Sequence, residues 1–125
     1  MEIKQAVLAL AALAHGSRLA VFRHLVEAGP KGDTPGRIAQ AVGLAPSTLS
    51  FHLKELANAR LVASRPSSRF LVYSVDFAQV ASLMTFLTRN CCRGMPAECL
   101  STVETELSRC PPDSACVPSK KGNAP

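Results

Sequence analysis

The chain has 125 residues, a formal net charge of +5 and a pI near 9.2. This length suits one domain with a modest core and excludes two independently packed domains. The positive excess lies in residues 1–90, which hold ten Lys and Arg against five Asp and Glu, and it favours a polyanion as partner. With one Tyr, five Phe and no Trp, the composition argues against a base-stacking surface for single strands and leaves duplex nucleic acid as the candidate.

Residues 2–14 are predicted to form a helix that is apolar almost all round. Such a helix must be covered on more than one side, and in a small domain a second copy of the chain can supply that cover. The apolar run 6–14 looks like a signal-peptide core, but the residues before it carry no net positive charge and another amphipathic helix follows, over residues 18–28. No apolar run approaches the roughly 20 residues that span a bilayer, so we expect a cytoplasmic protein without a membrane segment.

The stretch 34–54 predicts two short helices joined by a tight turn. Thr34 is the predicted N-cap and Pro35 the first residue of the first helix, which ends at Gly43. The second helix begins at Pro46, and an apolar row at positions i, i+4 and i+7 forms its buried side: Leu49, Leu53 and Leu56. This pattern is typical of a helix-turn-helix. Such a motif needs small residues that allow the helices to approach closely, a glycine in the turn and an apolar row that holds the helices together.

After residue 60 the hydrophobic period changes from 3.6 to 2, which predicts strands over residues 61–64 and 70–75 with a polar tip over 65–69. A further helix is expected to start at Asp76. A helix-turn-helix followed by a basic hairpin is a winged helix, so the predicted fold is mainly α with a small β-hairpin, and dimeric. We expect residues 1–92 to form the DNA-binding and dimerisation domain, and 93–125 an effector-binding loop with a largely flexible tail.

The outer side of the second motif helix and the wing tip carry the side chains that could contact DNA. Hydroxyls bond base edges or phosphates, lysine suits phosphate, and a phenyl ring can touch a thymine methyl. Arginines on the wing can hold phosphates or enter a minor groove. The predicted DNA-binding residues are Ser47, Thr48, Ser50, Phe51, His52, Lys54, Arg65 and Arg69. For His52, packing against the neighbouring turn is an equally good interpretation.

The five cysteines all lie in the C-terminal third: Cys91, Cys92, Cys99, Cys110 and Cys116. In a reducing cytosol they should be free thiols or metal ligands. Cys91 and Cys92 fall in the last turn of the predicted final helix, and a loop containing Gly94 and Pro96 can bring Cys99 back towards them. Three thiolates suit a soft ion that accepts trigonal coordination, whereas Zn(II) would want a fourth ligand. The two cysteines of the tail are expected to be incidental.

Several of these runs resemble the ArsR-type family of metalloregulatory winged-helix repressors, over about residues 3–92. The family's recognition-helix signature matches STLSFHLKEL followed by the LV strand, and LTRNCC with a later cysteine is similar to the arsenical-resistance branch. The resemblance implies a homodimer that holds an inverted-repeat operator in double-stranded DNA. It also implies release of that DNA when As(III) or Sb(III) binds Cys91, Cys92 and Cys99.

Two other sensor sites of that family are missing from this chain. The Cys-x-Cys arsenical site would fall on Thr34-Pro35-Gly36, which has no thiol. The zinc-type site needs histidine and acidic partners after Asp76, and the following residues supply none. Both departures leave sensing to the three cysteines at the end of the last helix.

The resulting hypothesis is a repressor of an arsenic-resistance operon, with no enzymatic activity. An alternative keeps the DNA-binding function but makes the cysteines a redox or persulfide switch. A thiol enzyme is another class, but the sequence lacks a Cys-x-x-Cys pair, a phosphate-binding loop and a His/Asp partner near the thiols. A winged helix that binds only protein is the third alternative, and a steep loss of duplex affinity with rising salt would exclude it.

Overall fold

The computed structural model describes residues 1–89, which are helical except for one hairpin. The elements are α1 (Ile3–Leu13), α2 (Gly16–Ala28), a 3-10 turn (Gly29–Lys31), α3 (Pro35–Val42), α4 (Pro46–Asn58), β1 (Val62–Ser67), β2 (Phe70–Val75) and α5 (Phe77–Thr88). The prediction of a mainly α fold with a small antiparallel hairpin is therefore confirmed. The chain divides into two compact units, Met1–Leu87 and Thr88–Pro125. The predicted domain boundary after residue 92 lies outside the described residues.

Helix α1 buries a stripe of alanines, Ala6, Ala9 and Ala12, and leaves larger apolar side chains exposed. Alanine carries only a methyl group, so this stripe lets α1 lie close to the rest of the core. The exposed apolar residues of α1 are Ile3, Val7, Leu8 and Leu10. Helix α1 therefore has a second apolar surface that the described residues 1–89 leave exposed.

Helix α2 begins at Gly16, two residues before the predicted start. The Nδ1 atom of His15 accepts a hydrogen bond from the amide of Ser17 at 3.2 Å, so His15 caps the helix and stabilises the two additional residues. The helix ends as predicted at the Gly29-Pro30 pair, where the backbone turns into the 3-10 segment.

Helices α3 and α4 form the predicted helix-turn-helix. Gly43 adopts a left-handed conformation with φ 72°, and its amide donates to the carbonyl of Ala39 at 2.9 Å, which ends α3. Thr34 is the N-cap residue, although its hydroxyl makes no capping bond and the Asp33 carboxylate accepts from its amide instead. The apolar row of α4 is buried as predicted, together with Val21, Leu25, Ile38 and Leu61 at the centre of the core.

The wing is longer than predicted, and the predicted five-residue tip is wrong. Strand β1 continues through Pro66, which pairs with Leu71, and the ladder closes at Ser67 opposite Phe70. Proline is tolerated here because the two-stranded sheet leaves each strand one unpaired edge, where a missing N–H costs nothing. The loop is only Ser68-Arg69, with a positive φ of 56° at Ser68.

A short bridge ties the loop before α3 to the wing. The amide of Asp33 donates to the carbonyl of Tyr73 at 2.9 Å, and the amide of Tyr73 donates to the carbonyl of Asp33 at the same distance. Gly32 has φ 68°, and a Cβ on it would collide with the Tyr73 carbonyl, so only glycine fits this position. We call this junction of Gly32, Asp33 and Tyr73 the wing root.

Candidate nucleic-acid interface

Most of the predicted DNA-contacting side chains of α4 share one exposed face, which we call the outer face of α4. It is formed by Ser47, Thr48, Ser50, Phe51 and Lys54, all of them exposed. Positions 47, 51 and 54 follow the i, i+4, i+7 spacing, so they form one line along the helix, with 48 and 50 on either side. The opposite side of α4 is anchored in the core by its leucines. The helix is therefore held rigidly while it presents hydroxyls, a phenyl ring and an ammonium group to solvent.

His52 does not belong to this face, and the prediction that it contacts DNA is wrong. It is 5% exposed, and its ring centroid lies 4.8 Å from that of His15 and 5.6 Å from that of Phe51. Within the described part of the chain, its Nδ1 atom is buried without a hydrogen-bond partner. Its i+3 spacing from Leu49 places it on the buried side, which supports the packing interpretation.

The environment of His52 disfavours a charge on its ring. Burial is the main cause that lowers its pKa below the usual 6.5, and the charges of His15 and Arg18 act in the same direction. The carboxylate of Glu55 opposes them, but the net direction is down. His52 is accordingly neutral at physiological pH and serves as packing between α4 and the corner that joins α1 to α2.

Arg65 lies in strand β1 rather than at the wing tip, and its guanidinium donates hydrogen bonds within the protein. It donates to the carbonyl of Lys31 at 2.8 Å, and to the carbonyl of Pro30 and the hydroxyl of Ser74 at 3.4 Å each. These carbonyls belong to the 3-10 turn at the end of α2, where partial negative charge favours a cation. The structure therefore gives Arg65 a structural role beside the wing root, and its predicted phosphate contact stays a prediction.

Arg69 is the arginine that remains at the tip. It occupies the second position of the two-residue loop and is exposed. Its position suits the predicted role, because a guanidinium at the end of a narrow hairpin can reach a phosphate or a minor groove.

An ion pair that sequence reasoning missed supports the loop before α3. His24 Nε2 lies 2.8 Å from Asp33 Oδ2, and Arg37 Nε lies 3.4 Å from Asp33 Oδ1. Burial tends to raise the pKa of Asp33, but the hydrogen bonds from His24 and the Thr34 amide, with the positive charge of Arg37, lower it overall. The nine-residue separation of His24 and Asp33 fits neither a helical nor a strand period, so no sequence signal could have found this pair.

A polar cleft of about 500 Å³ opens beside this ion pair, between the end of α2 and the start of α3. Basic groups from Lys31 and Arg37 and acidic groups from Glu27 and Asp33 line it together. The mixture of signs gives no single charge for a ligand to match, so the cleft does not extend the candidate DNA surface.

The predicted effector ligands Cys91, Cys92 and Cys99 lie outside the described residues, and the thiolate site stays a prediction. Within residues 1–89, no group of three or more His, Cys, Asp or Glu side chains is arranged to hold a metal ion. Over the same residues, no single helix is both long and apolar enough to cross a membrane. The helices Ile3–Leu13 and Gly16–Lys31 reach that length and apolarity only together, with a bend of 99° between them.

Comparison with known proteins agrees with this arrangement. Residues 13–65 match the family model of a helix-turn-helix domain. Over 78 residues the chain is 38% identical to the HTH-type transcriptional regulator Rv2034 of Mycobacterium tuberculosis, a match that covers 62% of this chain and 70% of that protein. In fold, the chain resembles Mb0332 of Mycobacterium bovis, a homodimeric winged helix-turn-helix DNA-binding domain and possible ArsR-family regulator, with 26% identity and a TM-score of 0.56.

The chain belongs to the winged helix-turn-helix transcriptional regulators of the ArsR type. The match to Mb0332 covers 70% of this regulator and 82% of that chain. An ArsR-like regulator from Rhodococcus sp. RHA1 shares the fold over 85% of this chain and 94% of its own, with a TM-score of 0.63 and 18% identity. The outer face of α4 and Arg69 at the wing tip stay the predicted DNA-contacting surface of this regulator.

Proposed function

We propose that this regulator is a homodimeric repressor of an arsenic-resistance operon, which binds an inverted-repeat operator and leaves it when As(III) or Sb(III) binds. The observation that carries the proposal is the outer face of α4, an exposed polar stripe on a helix otherwise fixed in the core. An α-helix fits the major groove, where the hydroxyls and Phe51 would meet base edges and Lys54 a phosphate. Arg69 would extend the contact from the wing.

The apolar surface of α1 supports a symmetric dimer. Ile3, Val7 and Leu10 are 71%, 59% and 43% exposed and follow the i, i+4, i+7 spacing, so they form one continuous apolar line. On α5, Phe77 and Leu87 are 42% and 56% exposed. Exposed apolar side chains of this kind are costly to leave in water, and contact with a second copy of the chain would cover them. A dimer would carry two α4 helices, which matches an operator with two-fold symmetry.

The proposed effector site follows directly after α5, which ends at Thr88. Thiolates are ligands that soft ions prefer, and the cluster Cys91, Cys92 and Cys99 is the thiol-rich part of the sequence nearest to that helix. Because α5 would contribute to the dimer interface, an ion that reorganises its end would alter the relation between the two α4 helices. Couplings of this kind are worth about 1–3 kcal/mol, or roughly 5- to 150-fold in DNA affinity.

The test is a titration of the protein–DNA complex with arsenite. The full chain is bound to a duplex selected from a random-sequence pool, and the labelled duplex is followed by fluorescence anisotropy. We expect arsenite to release the wild type, and the Cys91→Ser, Cys92→Ser double variant to stay bound. The Cys110→Ser, Cys116→Ser double variant is the matched control and should respond like the wild type. Release of the Cys91/Cys92 variant at the wild-type arsenite concentration would show that the site assignment is wrong.

A redox or persulfide switch is the second candidate, because adjacent thiols such as Cys91 and Cys92 are also open to oxidation. The same complex distinguishes the two candidates. Release by peroxide or polysulfide, reversed by dithiothreitol and absent with arsenite under reducing conditions, would favour the redox switch.

A further inference from the structure

The end of the wing carries an aromatic ring that is mostly exposed to solvent. Phe70 is the first residue of β2, follows Arg69 directly, and is 63% exposed. It pairs across the hairpin with Ser67, whose small side chain cannot cover it. A phenylalanine side chain is worth about 1.5–3 kcal/mol when fully buried, so leaving it in water forgoes most of that stabilisation. A single exposed phenylalanine is common on protein surfaces, and Phe70 is set apart by its place at the end of the wing, directly after Arg69.

The hairpin that carries Phe70 is attached to the helices at its base. At the wing root, Asp33 and Tyr73 exchange two backbone hydrogen bonds of 2.9 Å each. Arg65 adds a third attachment through the carbonyl of Lys31 at 2.8 Å. These contacts attach the base of the hairpin to the segment just before α3, so the wing is joined to the helix-turn-helix beside its first helix.

The wing has the length needed to reach a neighbouring groove. Strands of six residues extend about 20 Å at roughly 3.3 Å per residue. One turn of B-DNA is about 34 Å, so the minor groove lies about half that distance from the major groove along the duplex. A hairpin of about 20 Å is therefore long enough to span the distance between a major groove that holds α4 and the adjacent minor groove.

We propose that Phe70 is an apolar wedge that enters this minor groove beside Arg69 and partly unstacks one base step on each side of the operator. The two neighbours have complementary chemistry: the guanidinium of Arg69 is attracted by the negative potential of a narrow groove, and the ring of Phe70 replaces water with base contact. Flexible pyrimidine–purine steps such as TA are the easiest to open, so the wedge would add a preference for them in the flanks. The proposal rests on the proposed DNA binding by this dimer.

The experiment uses the full chain and a duplex selected by the wild type from a random-sequence pool. 2-Aminopurine, whose fluorescence rises when it is unstacked, is placed in turn at each flanking position. We expect the wild type to raise the signal at one step on each side. Phe70→Ala should abolish that rise and weaken binding by about tenfold, as loss of an aromatic–base contact does elsewhere. Phe70→Leu should retain part of both effects, because it keeps an apolar wedge.

Arg69→Ala is the matched control for the neighbouring position. Arg69→Ala removes a charge, so it should lower the salt dependence of binding but keep a rise in the 2-aminopurine signal. Phe70→Ala should leave the salt dependence unchanged. Thermal unfolding of each variant checks that the fold is intact. Wild-type binding without any unstacked flanking step, or an unchanged signal with Phe70→Ala, would overturn the wedge but leave the proposed function standing. Failure of the wild type to select any duplex would instead overturn the proposed function.

Discussion

The ring of His52 on α4 lies against the ring of His15, with 4.8 Å between their centroids and 48° between their planes. His15 in turn caps α2 through the amide of Ser17. Helix α4 therefore rests on the corner between α1 and α2 through two imidazoles, one buried and one exposed. This corner links the helix that presents the outer face to α1, the helix proposed to lie in the dimer interface.

The buried position of His52 predicts that the stability of the fold depends on pH. The pKa of His52 is lowered in the folded protein, chiefly by burial and further by His15 and Arg18, so the unfolded chain takes up a proton more readily. The contribution of neutral His52 to the free energy of unfolding is therefore fully present above pH 6.5, the usual pKa. It is lost as the pH falls below 6.5 towards the lowered pKa of the folded protein. Urea unfolding at pH 8, 6.5 and 5 should show this decrease. His52→Leu should flatten it, and an equally steep decrease in that variant would contradict the assignment.

The two wing arginines should respond differently to substitution. Arg69→Ala is expected to reduce the slope of log affinity against log salt by about one per protomer, since each phosphate contact contributes about 0.9. Arg65→Ala should weaken binding by about 5- to 10-fold through loss of its hydrogen bonds to the 3-10 turn, with the slope unchanged. Arg65→Lys, which can still reach one carbonyl, should recover part of the loss. The measurement is anisotropy across a salt series, and a reduced slope with Arg65→Ala would show that Arg65 contacts phosphate as well.

The wing root should depend strictly on glycine at position 32. Gly32→Ala is expected to destabilise the fold by at least about 1–3 kcal/mol, because the positive φ is unfavourable for alanine and the new Cβ meets the Tyr73 carbonyl. Gly36→Ala is the matched control: a Cβ there meets nothing within 4 Å, and alanine favours the helix by up to about 1 kcal/mol. Chemical denaturation compares the two variants. Equal stability of both would mean that the wing root tolerates a side chain.

The parts of this fold that follow local periodicity could be predicted from the sequence. Leu49, Leu53 and Leu56 repeat at helical spacing, and Gly43 ends α3, so the helix-turn-helix was predicted and is confirmed. The extension of β1 through Pro66 was not predicted, because a proline usually interrupts a strand and only the register across the hairpin shows that its nitrogen is not needed.

The site residues also divide into those whose position follows from local spacing and those whose position depends on packing between elements. The outer face of α4 follows from helical spacing, and its members are exposed as that spacing predicts. The partners of Arg65, 34 and 35 residues away, and the contact between His15 and His52 depend on how separate elements pack. No spacing rule contains that information, so neither the burial of His52 nor the internal hydrogen bonds of Arg65 could be predicted.

The most direct test of the DNA-binding account is the affinity ratio between the selected duplex and a scrambled duplex, measured for the wild type and Phe51→Ala. Phe51 is 55% exposed on the outer face of α4, so its removal should leave the fold and the salt-dependent affinity for scrambled DNA unchanged. Loss of its contact with a base should lower the ratio by about 5- to 100-fold, the effect of one base contact. An unchanged ratio in a folded Phe51→Ala variant would contradict the claim that this face of α4 reads the operator.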